Sequence, residues 1–154
     1  MDAAIRPAGL SDAPALARLR WEFRVSVGRP VEPEAAFVGR CEAWMAERLA
    51  ADGPWRCWIA GPDETPFGHI WLELLEKVPN PVDEPERHGY ITNLYVREEE
   101  RGRGVGSELL GRALAWCRER EDVHAVVLWP TERSRPLYAR HGFQGEGHIM
   151  ELVL

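Results

Sequence analysis

Between Glu32 and Ala51 the apolar residues Phe37, Cys41, Trp44, Met45 and Leu49 recur at spacings of three and four. This is the repeat of one helix face, and it predicts a helix over 32–51, closed by Asp52-Gly53-Pro54. A helix is expected before it as well. Ser11-Asp12 stands as a cap, Pro14 is tolerable in a first turn, and Leu16, Leu19, Trp21 and Phe23 carry the apolar face to about Val27, where Gly28-Arg29-Pro30 ends the run. Ala3 to Arg6 reads as a short opening strand. After residue 54 the period changes. Trp55 to Ala60 partly alternates, and Phe67 to Leu75 answers it across the turn Gly61–Thr65, which predicts a hairpin. A Pro-rich exposed loop, 79–88, leads to a strand over 89–96. A helix follows from Gly106 to about Arg120, then a strand over 124–129, a short helix carrying Tyr138, and a closing pair from Phe143–Gln144 and His148–Leu154. Periodicity alone supports an α/β or α+β domain.

The most informative segment is the junction from Leu94 to Gly106. A strand-like run turns through Gly102, Gly104 and Gly106 into a helix start. First-turn N–H groups lack partners inside a helix, and the helix dipole favours negative charge there. Glycines let the backbone come close to a pyrophosphate and adopt positive φ. Arg101 and Arg103 add charge for phosphate oxygens. A Walker loop is excluded because no Lys follows the glycines. A dinucleotide fingerprint is excluded by the spacing and by how late the strand comes. A ligand-free glycine-rich turn remains as the plain structural alternative.

A third pattern, Arg-x-x-Gly-x-Gly at Arg101, Gly104 and Gly106, resembles the phosphate-binding motif of the GNAT superfamily of acyl-CoA-dependent N-acyltransferases. A second segment strengthens the likeness. In 125–143 a buried-type strand is followed by a helix with Leu137-Tyr138 and by Gly142-Phe143, similar to the later motif of that family. The family often has Pro where this chain has Glu98, and Asn where it has Thr131. Thr131 or Ser134 is expected to stand in for that amide. The resemblance implies a mixed, mostly antiparallel sheet splayed at its centre, with helices on both faces. It also implies acetyl-CoA as cofactor, cradled by Leu94, Tyr95, Val96, Arg101, Gly102, Arg103, Gly104, Val105, Gly106, Ser107, Thr131, Ser134 and Tyr138.

The implied reaction moves an acetyl group to the primary amine of a small molecule. It needs a neutral amine, donors for an oxyanion and help for a departing thiolate. The N–H of Leu94 or Tyr95 is the natural oxyanion donor. Tyr138 is implied to lie by the sulfur. A phenol is a weaker acid than a thiol by about 2 kcal/mol, so Tyr138 donates a hydrogen bond at least, and a proton if its pKa is lowered. For the base, Glu73 lies on the strand facing an expected acceptor site, and Asn93 with Tyr95 shares a strand face able to hold a water relay. His88 and Glu151 are weaker options. Seven tryptophans, among them Trp21, Trp44 and Trp71, together with Phe23 suggest an aromatic acceptor pocket suited to a cationic amine. Protein or peptide amines are the alternative acceptors, and a non-catalytic acyl-CoA-binding module is the alternative function.

Composition narrows this picture. At 154 residues the simplest organisation is one domain over 1–154, large enough for its own core. A net charge of −6 argues against nucleic-acid and anionic-membrane partners. Cys41, Cys57 and Cys117 are odd in number without metal-ligand spacing, pointing to reduced thiols in a cytoplasmic protein. No apolar leader or membrane span is visible, and the histidines show no metal pattern. Serines lack the nucleophile-elbow setting of a hydrolase. The arginines of the third helix alternate with Glu108, Glu119 and Glu121, as a solvated face does. A homodimer through the C-terminal strand is compatible with the fold.

Overall fold

The computed structural model describes residues 3–145 and 150–153. Strands β1 (Ile5–Pro7), β2 (Trp55–Ala60), β3 (Gly68–Glu76), β4 (Arg87–Val96) and β5 (Val123–Val127) form one sheet in chain order. Pairing is antiparallel from β1 to β4 and parallel between β4 and β5. Helices α1 (Ala13–Val27) and α2 (Glu34–Ala50) precede β2; α3 (Val105–Arg118) joins β4 to β5, and α4 (Arg135–Arg140) follows β5.

Side chains alternate across a strand, so each strand feeds two cores. Cys57, Ile59 and Trp71 meet Ala13, Leu16, Ala17 and Met45 on the α1–α2 face. Trp58, Ala60, Ile70, Leu72 and Ile91 meet Leu109, Leu110, Ala113 and Leu114 of α3 on the other. Leu16, Leu109 and Leu110 are wholly buried, each stabilising the fold by about 1.5–3 kcal/mol. The expected mixed sheet with helices on both faces is the one observed.

Two irregularities open the sheet. β5 pairs with β4 only along Arg87–Tyr90, so from Ile91 to Val96 the β4 edge has no neighbouring strand among the described residues. On the opposite edge, His69 pairs with Tyr95 while Trp71 pairs with Thr92, so Ile70 faces both Asn93 and Leu94. This is a β-bulge in β4, and Asn93 carries it at φ 60°. Glu22 of α1 accepts two hydrogen bonds from Arg97 at 2.8 and 2.7 Å, tying α1 to the end of β4.

Several expectations are corrected in detail. Asp12 does not cap α1 with its side chain. A 3-10 turn at Leu10–Asp12 already gives it helical backbone angles, and its carboxylate instead accepts from Arg6 at 2.8 Å twice and from the Gly9 amide at 2.7 Å. β5 ends at Val127 rather than at Trp129, just short of Pro130, which has no N–H for a ladder. The closing strand pair does not form at Phe143–Gly145 or Met150–Val153; the rest of it, 146–149 and 154, lies outside the described residues. Met150, Leu152 and Val153 are 96%, 83% and 81% exposed, so no burial offsets the entropy of ordering them.

Candidate active site

The open half of β4, the inner face of α1, the N-terminus of α3 and the region of α4 enclose a cleft of about 780 Å³. Its floor is the segment that joins β4 to α3. Gly102 and Gly104 sit at φ 76° and 79°, where a side chain is strained, and Gly104 is the N-cap of α3. A Cβ at either would meet nothing within 4 Å, so the backbone angle, and not crowding, calls for glycine. At Gly106 a Cβ would reach ordinary contact with Leu137 and Val96, between α3 and α4. Among the described residues no side chain caps α3, which leaves the first-turn amides of Val105, Gly106 and Ser107 available along the cleft wall.

The two loop arginines separate. Arg101 lines the cleft, but its Nε donates to the Val96 carbonyl at 2.8 Å and its guanidinium lies 5.7 Å from the Tyr95 ring centre. Arg103 does not line the cleft; it pairs with Glu100 at 3.1 Å and is mostly exposed. The reason is geometric: residues 101 and 103 flank a glycine at positive φ, which turns their side chains to different sides. Arg133 and Arg140, not singled out from the sequence, bring further positive charge to the cleft from either end of α4.

α4 has only six residues, and hydroxyls brace the turn that leads into it. The Thr131 amide donates to Ser134 Oγ at 2.9 Å, the Ser134 amide donates to Thr131 Oγ1 at 3.2 Å, and the two hydroxyls are 2.9 Å apart. The two bonds close the turn 131–134 reciprocally, just ahead of α4. Both residues line the cleft. Tyr138 follows one turn later, buried, its ring edge-on to Phe143 at 5.7 Å, and also on the cleft wall. Burial pushes its phenol pKa up from the ordinary tyrosine value, with the Ser134 hydroxyl pulling the other way. His141 Nε2 lies 2.7 Å from Ser107 Oγ and binds the end of α4 to the first turn of α3.

Leu94, Tyr95 and Val96 line the cleft along the free edge, with Asn93 at the bulge. Asn93 Oδ1 accepts from Arg20 Nη1 at 2.7 Å. Tyr95 stacks obliquely on Phe23 at 5.3 Å, and burial raises its pKa. Arg20, Phe23, Arg24 and Val27 of α1 all line this end. Their spacing of i, i+3, i+4 and i+7 is one helix face, and that was the available signal for them. Beneath Tyr95 lies His69, fully buried, its ring nitrogens without partners and its pKa driven down to about 3 by burial.

Other candidates lie elsewhere. Glu73 pairs with Trp55 and Tyr90 at the closed end of the sheet and lines a separate groove with Asp52, Arg56, Arg87 and Arg120. It falls short of the cleft because β4 opens only from Ile91 onward. His88 stands at the same closed end, edge-on to His124 at 5.7 Å. Glu151 is exposed on the C-terminal segment. The expected aromatic acceptor pocket also does not assemble from the early helices. Trp21 packs on Phe37, and Trp44 and Trp71 pack with Trp55. Phe23 reaches the cleft from α1, and Trp129 from the segment after β5, edge-on to Tyr90 at 5.0 Å.

Residues 14–143 match the model of the acetyltransferase (GNAT) family. A GCN5-related N-acetyltransferase from Ralstonia eutropha JMP134 is 33% identical, with 99% of each chain covered and a TM-score of 0.78. A predicted acetyltransferase with acetyl-CoA from Clostridium acetobutylicum is 25% identical, with 99% of this chain and 96% of that one covered and a TM-score of 0.81. No curated protein matches the chain.

Proposed function

This chain belongs to the acetyltransferase (GNAT) family, and from that premise we propose that it transfers an acetyl group from acetyl-CoA to the primary amine of a small molecule by direct attack. The observation that carries the reading is a single cleft that combines an unpaired strand edge, an uncapped helix N-terminus and Tyr138. When bound, acetyl-CoA supplies the activated acyl group.

The chain's own residues divide the remaining work. Amides of Val105, Gly106 and Ser107, behind Gly102 and Gly104, hold pyrophosphate oxygens. Arg101, Arg133 and Arg140 add positive charge, while Arg103 acts through Glu100 on the loop's shape. Free backbone groups of Leu94 and Val96 pair with the pantetheine arm as a neighbouring strand would. An amide N–H of Leu94 or Tyr95 donates to the carbonyl oxygen as charge develops on it. Thr131 and Ser134 support the α4 wall that carries Tyr138, and Tyr138 donates a hydrogen bond to the departing thiolate. The carboxylates on the cleft, Glu98 and Glu100, belong to the turn before the glycine loop. This supports a water relay near Asn93 and Tyr95 as the route for the amine's proton, with no part for Glu73. The same reading takes 1–154 as one catalytic domain, as a monomer or a homodimer. Free thiols at Cys41, Cys57 and Cys117 support a reducing cytoplasm, and no described helix is long and apolar enough to cross a membrane.

Calorimetric titration of acetyl-CoA into wild type and Gly104→Glu tests the proposal. The variant sets a carboxylate where phosphates bind, so tight binding by wild type and its loss in the variant are expected. Absence of wild-type binding would sink the reading. Binding without thiol release across an amine panel would make the protein a non-catalytic acyl-CoA module.

A further inference from the structure

Arg20 is a cation with no counter-charge among the described residues. It is half-buried on the inner face of α1, and its side-chain hydrogen bond goes to a neutral amide, Asn93 Oδ1 at 2.7 Å. No carboxylate pairs with it among the described residues; the nearest acid along α1, Glu22, is turned to Arg97. Arg24 lies one helical turn further along the same face, and the Phe23 ring sits 5.6 Å from one guanidinium and 6.0 Å from the other. A guanidinium does not escape burial by losing its proton, so an unpaired one costs free energy that a ligand anion would recover. With Nη1 held by Asn93, the Nε–Nη2 edge stays open, and that edge matches the two oxygens of a carboxylate. Asn93 is the bulge residue beside the free β4 edge, where the attacking amine has to arrive. Arg101, Arg133 and Arg140 line the same cleft from the glycine loop and the α4 region, on elements other than α1.

We propose that Arg20, backed by Arg24, binds a carboxylate on the acceptor, so that the acceptor is an amine of the amino-acid class. The proposal rests on the acetyltransferase reading and names its substrate class. The amine nitrogen forms a bond to the acyl carbon, the carbon–sulfur bond breaks, the nitrogen gives up one proton to water, and the sulfur departs as a thiolate that water reprotonates. Arg20 takes no part in these bond changes. It is a specificity residue that orients the amine.

The test is free-thiol release with each amino acid, matched against its primary amide, its decarboxylated amine and its aminophosphonate. Wild type, Arg20→Met and Arg20→Lys are compared, with thermal melts to establish folding and acetyl-CoA titration of each. In wild type, carboxylate-bearing amines should exceed the amides and decarboxylated amines at least tenfold in kcat/KM. In Arg20→Met that preference should collapse, chiefly through KM, with the acetyl-CoA Kd unchanged. Arg20→Lys keeps the charge without the fork and should retain part of the preference. Equal rates for amides and acids, or an undiminished preference in Arg20→Met, would overturn the proposal. A preference for the aminophosphonates would overturn it in favour of a phosphate-bearing acceptor. Weakened acetyl-CoA binding in Arg20→Met would assign the residue to the cofactor's phosphates instead. A wild-type protein that binds no acetyl-CoA would fail at the earlier step, separating loss of the transferase reading from loss of this one.

Discussion

Tyr138 is buried, and its burial decides which role it can perform. A phenol held above its ordinary pKa keeps its proton across neutral pH, so in the proposed mechanism Tyr138 is suited to donate a hydrogen bond and is a poor source of a fully transferred proton. Hydrogen bonds to charged groups contribute about 1.5–3 kcal/mol. Tyr138→Phe should therefore lower kcat by about 10- to 100-fold while leaving the acetyl-CoA Kd nearly unchanged. The pH profile carries the sign. The donor form exists below the raised pKa, so kcat should rise as the amine deprotonates and show no Tyr138-dependent fall below the ordinary tyrosine pKa of about 10. A falling limb near pH 8 that disappears in Tyr138→Phe would contradict this. The sequence made Tyr138 legible because its partners Leu137, Gly142 and Phe143 are near it in the chain. Arg20 was not legible in the same way, since its partner Asn93 comes from a distant strand.

At the scale of elements, the β4–α3 junction is shaped by two glycines, Gly102 and Gly104, in left-handed backbone before a helix that no described side chain caps. Left-handed backbone costs an ordinary residue about 1–2 kcal/mol. Gly104→Ala should lower the melting temperature by roughly 2–8 °C, a small-to-moderate shift for a chain of this length. Because a methyl group there meets nothing within 4 Å and adds no charge, acetyl-CoA binding should fall far less than in Gly104→Glu. Equal losses in the two variants would mean that loop shape, not charge against phosphate, governs binding. The glycine pattern was readable from spacing alone, and so was the order of the elements from β1 to α4. The β4 bulge was not. It is a property of the register between β3 and β4; Asn tolerates positive φ better than most residues, but an Asn inside a strand-like run does not by itself mark a bulge.

For the whole molecule, the layered build places His69 between the sheet and α1 with no solvent and no partner for its ring nitrogens. Its pKa is pushed down to about 3, against about 6.5 when unfolded. Between those values the unfolded chain binds a proton that the folded chain refuses. Stability should fall as pH drops from about 6.5 toward 3, and His69 should contribute no pH dependence above that window. Denaturant melts over this range should show a shallower dependence in His69→Leu than in wild type. Identical slopes would mean that the carboxylates alone drive acid unfolding.

Some local chemistry was legible in the sequence: where glycine is needed, which residues alternate, and that Tyr138 precedes Gly142-Phe143 at the family's spacing. These depend on neighbours a few residues apart, and short-range sterics and hydrogen bonding act within that reach. The tertiary structure alone decided which polar groups share the cleft. It left Glu73 at the closed end and brought Arg20 to Asn93. Each outcome follows from where β5 stops pairing with β4 and how α1 is pinned to Arg97. Register and helix docking are set by the summed packing of two cores, a quantity spread over the whole chain and not written in any one segment.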